Sequence, residues 1–201
     1  MTDLSSASIL VAGCGGLGCY AVEYLVRLGV GSVKVADGDV FDQSNMNRQL
    51  YCTAETIGRN KAEAAASRWP GKVVPVPSFI DEANAASLVS GCAAVVDALD
   101  NSASRKLLAS ACAGAGIPFI HGAVSGGVCQ VCALFPEDGD LADVLFPDEP
   151  AADPATFSYV PALCASLQVS LVHNLLSGGD VKPRELIVYD AGEGSRRTVR
   201  L

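Results

Sequence analysis

The sequence predicts an α/β protein: a Rossmann-like, mostly parallel sheet with helices on both faces, extended by a C-terminal antiparallel β part. Three observations predict it. Short β-branched runs alternate with Ala- and Leu-rich stretches of helical spacing, a glycine cluster sits at the first strand-to-helix junction, and the alternation gives way to extended segments after Gly122. Ser8–Ala12 is a buried strand ending in glycines. Gly16–Leu28 is a helix with Ala21, Leu25 and Leu28 at helical spacing, stopped by Gly29 and Gly31. Ser32–Ala36 is the second strand, Lys61–Trp69 a helix closed by Pro70 and Gly71, Lys72–Val76 the third strand and Glu82–Ser90 a short helix. Ala93–Asp97, the helix Ser102–Ala115 and the strand Pro118–His121 complete the βαβα order. Beyond Gly122, Gly127–Phe135 reads as extended, and the acidic, proline-containing stretch 136–158 as a long loop. Val160–Leu176 reads as an apolar helix. Glu185–Tyr189 and Arg196–Leu201 form a hairpin around residues 191–194.

Composition narrows the function classes. At 201 residues, 50% hydrophobic and 18% charged, the chain can bury a core without disulfides or metal and is not a disordered polypeptide. A formal charge of −8 makes it a poor non-specific ligand for nucleic acid or an anionic membrane, although a local basic pocket can still take a nucleotide. No run approaches the ~18 apolar residues of a membrane span, and Met1–Ala7 lacks the features of a signal peptide, so a cytoplasmic protein is expected. The eight cysteines lie mostly among Ala, Val, Leu and Gly, as small buried thiols do in a reducing compartment.

The chemistry is concentrated at strand ends. Gly13, Gly15, Gly16 and Gly18 let the backbone approach a phosphate, and the helix that follows offers unpaired N–H donors. Asp37 ends the second strand, where an acid about 20 residues past such glycines receives a ribose hydroxyl. The polar run Ser44, Asn45, Met46, Asn47, Arg48, Gln49 exceeds what a dinucleotide fold needs. Arg48 offers a planar fork to phosphate oxygens, Asn45 and Asn47 add neutral donors, and Lys61 opens the next helix toward the same crevice. Cations gathered in this way suit ATP better than NAD. After the fourth strand, Asp100 can hold Mg²⁺ beside a triphosphate, while Asp100 or Asn101 can equally cap the helix at Ser102.

These motifs, with Asp37-x-Asp39, Gly58 to Lys61, His121-Gly-Ala-Val-Ser, Leu145-Phe-Pro, Ser166-Leu-Gln168 and Ile187-Val-Tyr-Asp190, resemble the MoeB/ThiF/HesA branch of ubiquitin-activating-type enzymes over nearly the whole chain. The resemblance implies a single adenylation domain over 1–201, with a nucleotide-binding part at 1–122 and the extension at 123–201. It implies ATP- and Mg²⁺-dependent adenylation of the C-terminal glycine carboxylate of a small ubiquitin-like sulfur carrier, for thiamine, molybdopterin or related sulfur transfer, by a homodimer. By matched position, Gly16 lies against the nucleotide, Asp37 holds the ribose, Asn45, Arg48 and Lys61 serve the phosphates, and Asp100 with Asn101 supports the metal. The catalytic set is then Arg48, Lys61 and Asp100, with Asp39, Ser44, Asn47 and Gln49 among the nucleotide-binding residues.

Three departures from the family pattern shape further expectations. No arginine precedes the first strand, so the corresponding phosphate-neutralising charge is expected from elsewhere, such as Arg59 or a partner chain. Cys129 and Cys132 are the only Cys-x-x-Cys pair, and residues i and i+3 on a strand face opposite sides, so no zinc is expected. No cysteine occurs from 133 to 163, and Cys164 lies within the apolar helix, so a covalent thioester is not expected. His121, His173 and Trp69 read as structural, and Arg105 as a partner for a carboxylate. Val128–Leu134 and Val160–Leu176 are candidate contact surfaces between subunits, and the acidic loop a segment that orders around a carrier tail. Two rivals remain. A non-catalytic carrier-binding relative would keep the fold, and an NAD-dependent oxidoreductase would leave Arg48, Lys61 and Asp100 without work.

Overall fold

The structure is a computed structural model that describes residues 3–139, 141–147 and 156–201. Eight strands form one sheet: β1 (Ser8–Ala12), β2 (Ser32–Ala36), β3 (Val73–Val76), β4 (Ala94–Asp97), β5 (Phe119–Ser125), β6 (Val128–Leu134), β7 (Glu185–Asp190) and β8 (Ser195–Arg200). Their order is β3-β2-β1-β4-β5-β6-β7-β8. The pairs from β3 through β5 are parallel, and those from β5 through β8 are antiparallel. The α/β sheet with an antiparallel C-terminal extension is therefore the observed fold.

Side-chain alternation explains why helices flank both faces. In β1, Ile9 and Val11 join a core with α1 (Gly16–Leu28), α2 (Lys61–Arg68) and α6 (Tyr159–Leu176). Leu10 and Ala12 join the opposite core with α3 (Ala85–Val89), α4 (Ser102–Ala115) and α5 (Leu141–Leu145). Strands buried on both faces read as continuous apolar runs, and this made β1, β2 and β4 legible. α1 ends where Gly29 takes φ 93° and donates to Leu25 and Val26.

Several boundaries differ from expectation. β5 runs on to Ser125, because β6 pairs with it along its whole length. α3 is confined to Ala85–Val89, since Asp81 draws Ala83 and Asn84 into a turn where a first helical turn was expected. The acidic stretch is not all loop: Leu141–Leu145 is helical, and Leu141 and the following Phe146 are buried beneath it. Residue 140 and residues 148–155 lie outside the described residues, and with them the expectations for Asp140, Asp148, Glu149, Pro150, Ala151, Asp153 and Pro154.

β6 is an interior strand between β5 and β7, with Val128 and Gln130 half-buried; Cys129 enters one core and Cys132 the other, so the two thiols face opposite sides of the sheet. Among the described residues, α6 is the one helix long and apolar enough to cross a membrane, with mean hydropathy 1.3 over 18 residues. It lies instead against α1, β5 and β6. From it the fully buried Gln168 sends its amide into the sheet, donating to the carbonyls of Asp97 (2.8 Å) and Ile120 (2.9 Å). The β4–β5 ladder ends at Val96 and Ile120, so this amide fills the fork where the two strands part.

Candidate functional site

The chain runs from β1 outward to β3, then crosses to β4 on the other side of β1, so the switch point lies between β1 and β4. Ligands of open α/β sheets bind at the carboxyl ends of strands beside such a point. The loops after β1 and β4 are in contact there. Gly13 takes φ 89°, and a Cβ on it would sit 2.5 Å from the Ala98 carbonyl oxygen. Only glycine satisfies both demands. Gly18 serves a different purpose: a Cβ there would overlap the Gly13 carbonyl, so it brings α1 close against the turn and does not border the crevice. No side chain among the described residues caps α1, which leaves its first-turn N–H groups to an anion.

A cavity of about 580 Å³ opens at this point. The expected residues Gly13, Gly15, Gly16, Asp37, Asp39, Arg48, Gln49, Lys61, Asp100 and Asn101 all border it. Gly18, Ser44, Asn45 and Asn47 do not. Asn45 is consumed in a capping box with Asp42, accepting from the Asp42 N–H at 3.1 Å. Ser44 and Asn47 support Arg48, whose guanidinium donates to the Ser44 carbonyl (3.3 Å) and to Asn47 Oδ1 (2.9 Å). A short 3₁₀ turn at Gln43–Asn45 thus leads into Arg48 and Gln49, and the run from 44 to 49 does not turn every polar side chain to the cavity.

Each titratable group at the site has a definite set of partners. Asp37 accepts the N–H of Cys14 (2.6 Å) and of Asp39 (2.8 Å); burial pushes its carboxyl above the ordinary range despite those bonds and the nearby Lys61. Asp39 pairs with Lys61 at 2.6 Å, and that bond holds its carboxyl below the ordinary range. Arg48 bonds only neutral oxygens among the described residues. Of the two acids after β4, Asp97 is fully buried and committed to His121 Nδ1 (2.7 Å), Arg105 Nε (3.2 Å) and the Leu99 N–H (3.0 Å). Asp100 is exposed at the cavity wall and, among the described residues, meets only the Asn101 amide, at 3.3 Å. It is therefore the carboxylate able to take a hard cation, while Asn101 caps α4 by accepting the Ser104 N–H at 2.8 Å. Gln49 is buried, and its Oε1 finds no partner among the described residues.

Sequence reasoning gave no site role to several lining residues. Phe79 and Ile80 lie beyond β3, Gly122–Ser125 form a wall from the far end of β5, and Leu145, Pro147, Thr156 and Pro161 also border the cavity. The β5 wall lies within the His121-Gly-Ala-Val-Ser motif and Leu145 and Pro147 within Leu145-Phe-Pro, whereas Phe79 and Ile80 belong to no motif, although the carboxyl end of a parallel strand is where ligands bind. Arg105 pairs with Asp97 as expected, donates to the Leu99 carbonyl, and also borders the cavity. Arg59 does not border it and is engaged with Ser67 Oγ at 2.7 Å. His121 is buried against Asp97 and the edge of Phe146, Trp69 lies between Arg27 and Arg68, and Cys164 is in the core. Among the described residues no group of three or more His, Cys, Asp or Glu side chains could hold a metal ion.

The chain is similar over nearly its whole length to several known proteins. The chain is 35% identical to the SAMP-activating enzyme E1 of Haloferax volcanii, over 98% of its own length and 77% of the relative's. It is 34% identical to the sulfur carrier protein adenylyltransferase of Thermus thermophilus, over 98% and 80%. It is 30% identical to the adenylyltransferase and sulfurtransferase MOCS3 of Arabidopsis thaliana, of which it spans only 46%. The crystal structure of E. coli MccB with ATP has the same fold, with a TM-score of 0.81 at 20% identity, over 98% of this chain and 64% of that one. With the ThiF family matching residues 1–201, the chain belongs to the ThiF family.

Proposed function

We propose that this protein uses ATP and Mg²⁺ to adenylate the C-terminal carboxylate of a small ubiquitin-like sulfur carrier, feeding thiamine, molybdopterin or a related sulfur transfer. The observation that carries the reading is the convergence of Arg48, Lys61 and Asp100 on one cavity with the glycine turn and Asp37. Relatives named as adenylyltransferases of sulfur carriers support it.

In this reading Asp37 accepts the ribose hydroxyls, and Phe79, Ile80 and Leu99 form an apolar wall for the base. The α1 N-terminus and Arg48 receive the phosphates. Asp100 would hold Mg²⁺, which supplies charge neutralisation on the phosphate oxygens. The carrier's carboxylate is already ionised at neutral pH, so the reaction requires no general base. An oxygen of the carboxylate bonds to the α-phosphorus, the bond from that phosphorus to the bridging oxygen of the β-phosphate breaks, and pyrophosphate leaves. The work of the site is to align two anions and to stabilise charge developing on the leaving group, which is the role of Arg48 and Lys61.

The test is pyrophosphate–ATP exchange with candidate carriers ending in glycine. Carrier-dependent exchange is expected, together with a rise in melting temperature with MgATP that NAD does not reproduce. Exchange that no carrier stimulates, or stabilisation by NAD instead, would overturn the proposal.

A further inference from the structure

Asp39 borders the cavity, but neither of its carboxylate oxygens is left without a partner. Oδ1 accepts the Val40 N–H at 2.8 Å, which fixes the carboxylate rotamer, and Oδ2 meets Lys61 Nζ at 2.6 Å. The backbone repeats the link, since the Lys61 N–H donates to the Asp39 carbonyl at 3.0 Å. Asn60, the residue that caps α2, adds its amide to the carbonyls of Asp37 (2.9 Å) and Asp39 (3.0 Å). The turn after β2 is thereby fastened to the start of α2. Lys61 is buried along its stem, with 8% of its side chain exposed, while the Asp39 side chain is 56% exposed. An ammonium carries three donors. One goes to Asp39, and two remain for oxygens of a ligand.

We infer that Asp39 is a positioning residue: it holds the Lys61 ammonium at the cavity wall and acts on a bound triphosphate only through that lysine. The inference rests on the nucleotide reading above and assigns the second acid of Asp37-Gly38-Asp39 a role different from the first. Asp37 would touch the sugar. Asp39 would aim a cation.

A double-mutant cycle read by calorimetric titration with MgATP tests it. Asp39→Asn keeps the shape and an acceptor for the Val40 N–H, and it is expected to weaken MgATP binding about 10- to 100-fold, as loss of a partner that orients a ligating group does. In a Lys61→Met background the same substitution is expected to change binding by less than about 2-fold, because its only route is gone. A general structural defect would instead weaken both backgrounds alike and lower the ligand-free melting temperature. Asp39→Ser, carried through the same cycle, guards against an effect peculiar to asparagine. Equal losses in both backgrounds, or no loss from Asp39→Asn alone, would overturn the inference. Tight MgATP binding by a wild-type protein that makes no acyl-adenylate would sink the adenylation reading and leave this cycle interpretable.

Discussion

The two halves of the sheet differ in how they spend their residues. In the parallel half, β1 and β4 are buried almost throughout, their side chains divided between two cores, and their polar work is done by the loops beyond them. In the antiparallel half, β7 is half-buried along its length and β8 is mostly exposed, carrying Arg196, Arg197 and Arg200 on the sheet edge. The cavity is made mostly by the first half, with one wall from the end of β5 and a border of Leu145, Pro147, Thr156 and Pro161. A buried strand fixes the loop that follows it, which is what the proposed triphosphate site would need. The charges on the β8 edge instead discourage pairing with other strands.

Substitutions should expose this contrast, and the largest effects are expected at the cavity. Arg48→Ala and Asp100→Ala are expected to cut pyrophosphate exchange at least about 100-fold, by analogy with deletion of a single electrostatic group at a reaction centre. Their melting temperatures should stay near that of wild type, since Arg48 is half-buried on neutral partners and Asp100 is exposed. Near-normal exchange in both variants would remove the cavity's claim to be the site.

Gln168→Leu should break the parallel half from within. It strands the carbonyls of Asp97 and Ile120 in the core, and urea unfolding should register a loss of about 2–4 kcal/mol, the cost of orphaning two buried acceptors. A loss below 1 kcal/mol would mean that the fork closes without the amide.

A smaller effect is expected from Glu23 on α1, which accepts from Arg27 Nε (2.7 Å), Trp69 Nε1 (3.0 Å) and the Tyr51 hydroxyl (3.2 Å). Burial pushes its carboxyl up, and these donors together with the Arg27 charge outweigh that, leaving it below the ordinary range. A carboxylate depressed by folding stabilises the protein above its unfolded pKa of about 4.3, and that stabilisation is lost as pH falls through the lower folded value. Asp37 has the opposite sign: raised by burial, it costs stability above the ordinary aspartate range and returns it on acidification. Denaturant midpoints measured from pH 7 down to pH 3 should therefore fall less steeply for Glu23→Gln than for wild type, and more steeply for Asp37→Asn. The smallest effect is expected at the edge, where Arg197→Ala should stay within about 0.5 kcal/mol of wild type.

Much of the parallel half was legible because its signals are local. Gly13, Asp37 and Lys61 each sit beside the strand or helix that positions them, and doubly buried strands announce themselves as apolar runs. What escaped was non-local. Nothing near Gly122 indicates that β5 continues to Ser125, because the reason is a hairpin partner in β6. The polar run from 44 to 49 looked like a set of ligands, yet Asn45 and Asn47 bond their own segment, a local competition that composition does not resolve. α5 was hidden by the acidic residues around it, although Leu141 and Phe146 carry its apolar contacts.

The position of Gln168 bears on how the protein is made. A nascent chain that has emerged only through residue 122 already contains Gly13, Asp37, Arg48, Lys61 and Asp100, yet the buried carbonyls of Asp97 and Ile120 must wait for a donor 46 residues further on. The fork beside the cleft is therefore filled only once α6 has been made and has docked, and a chain stopped before α6 should fail to hold the nucleotide that the proposed function requires.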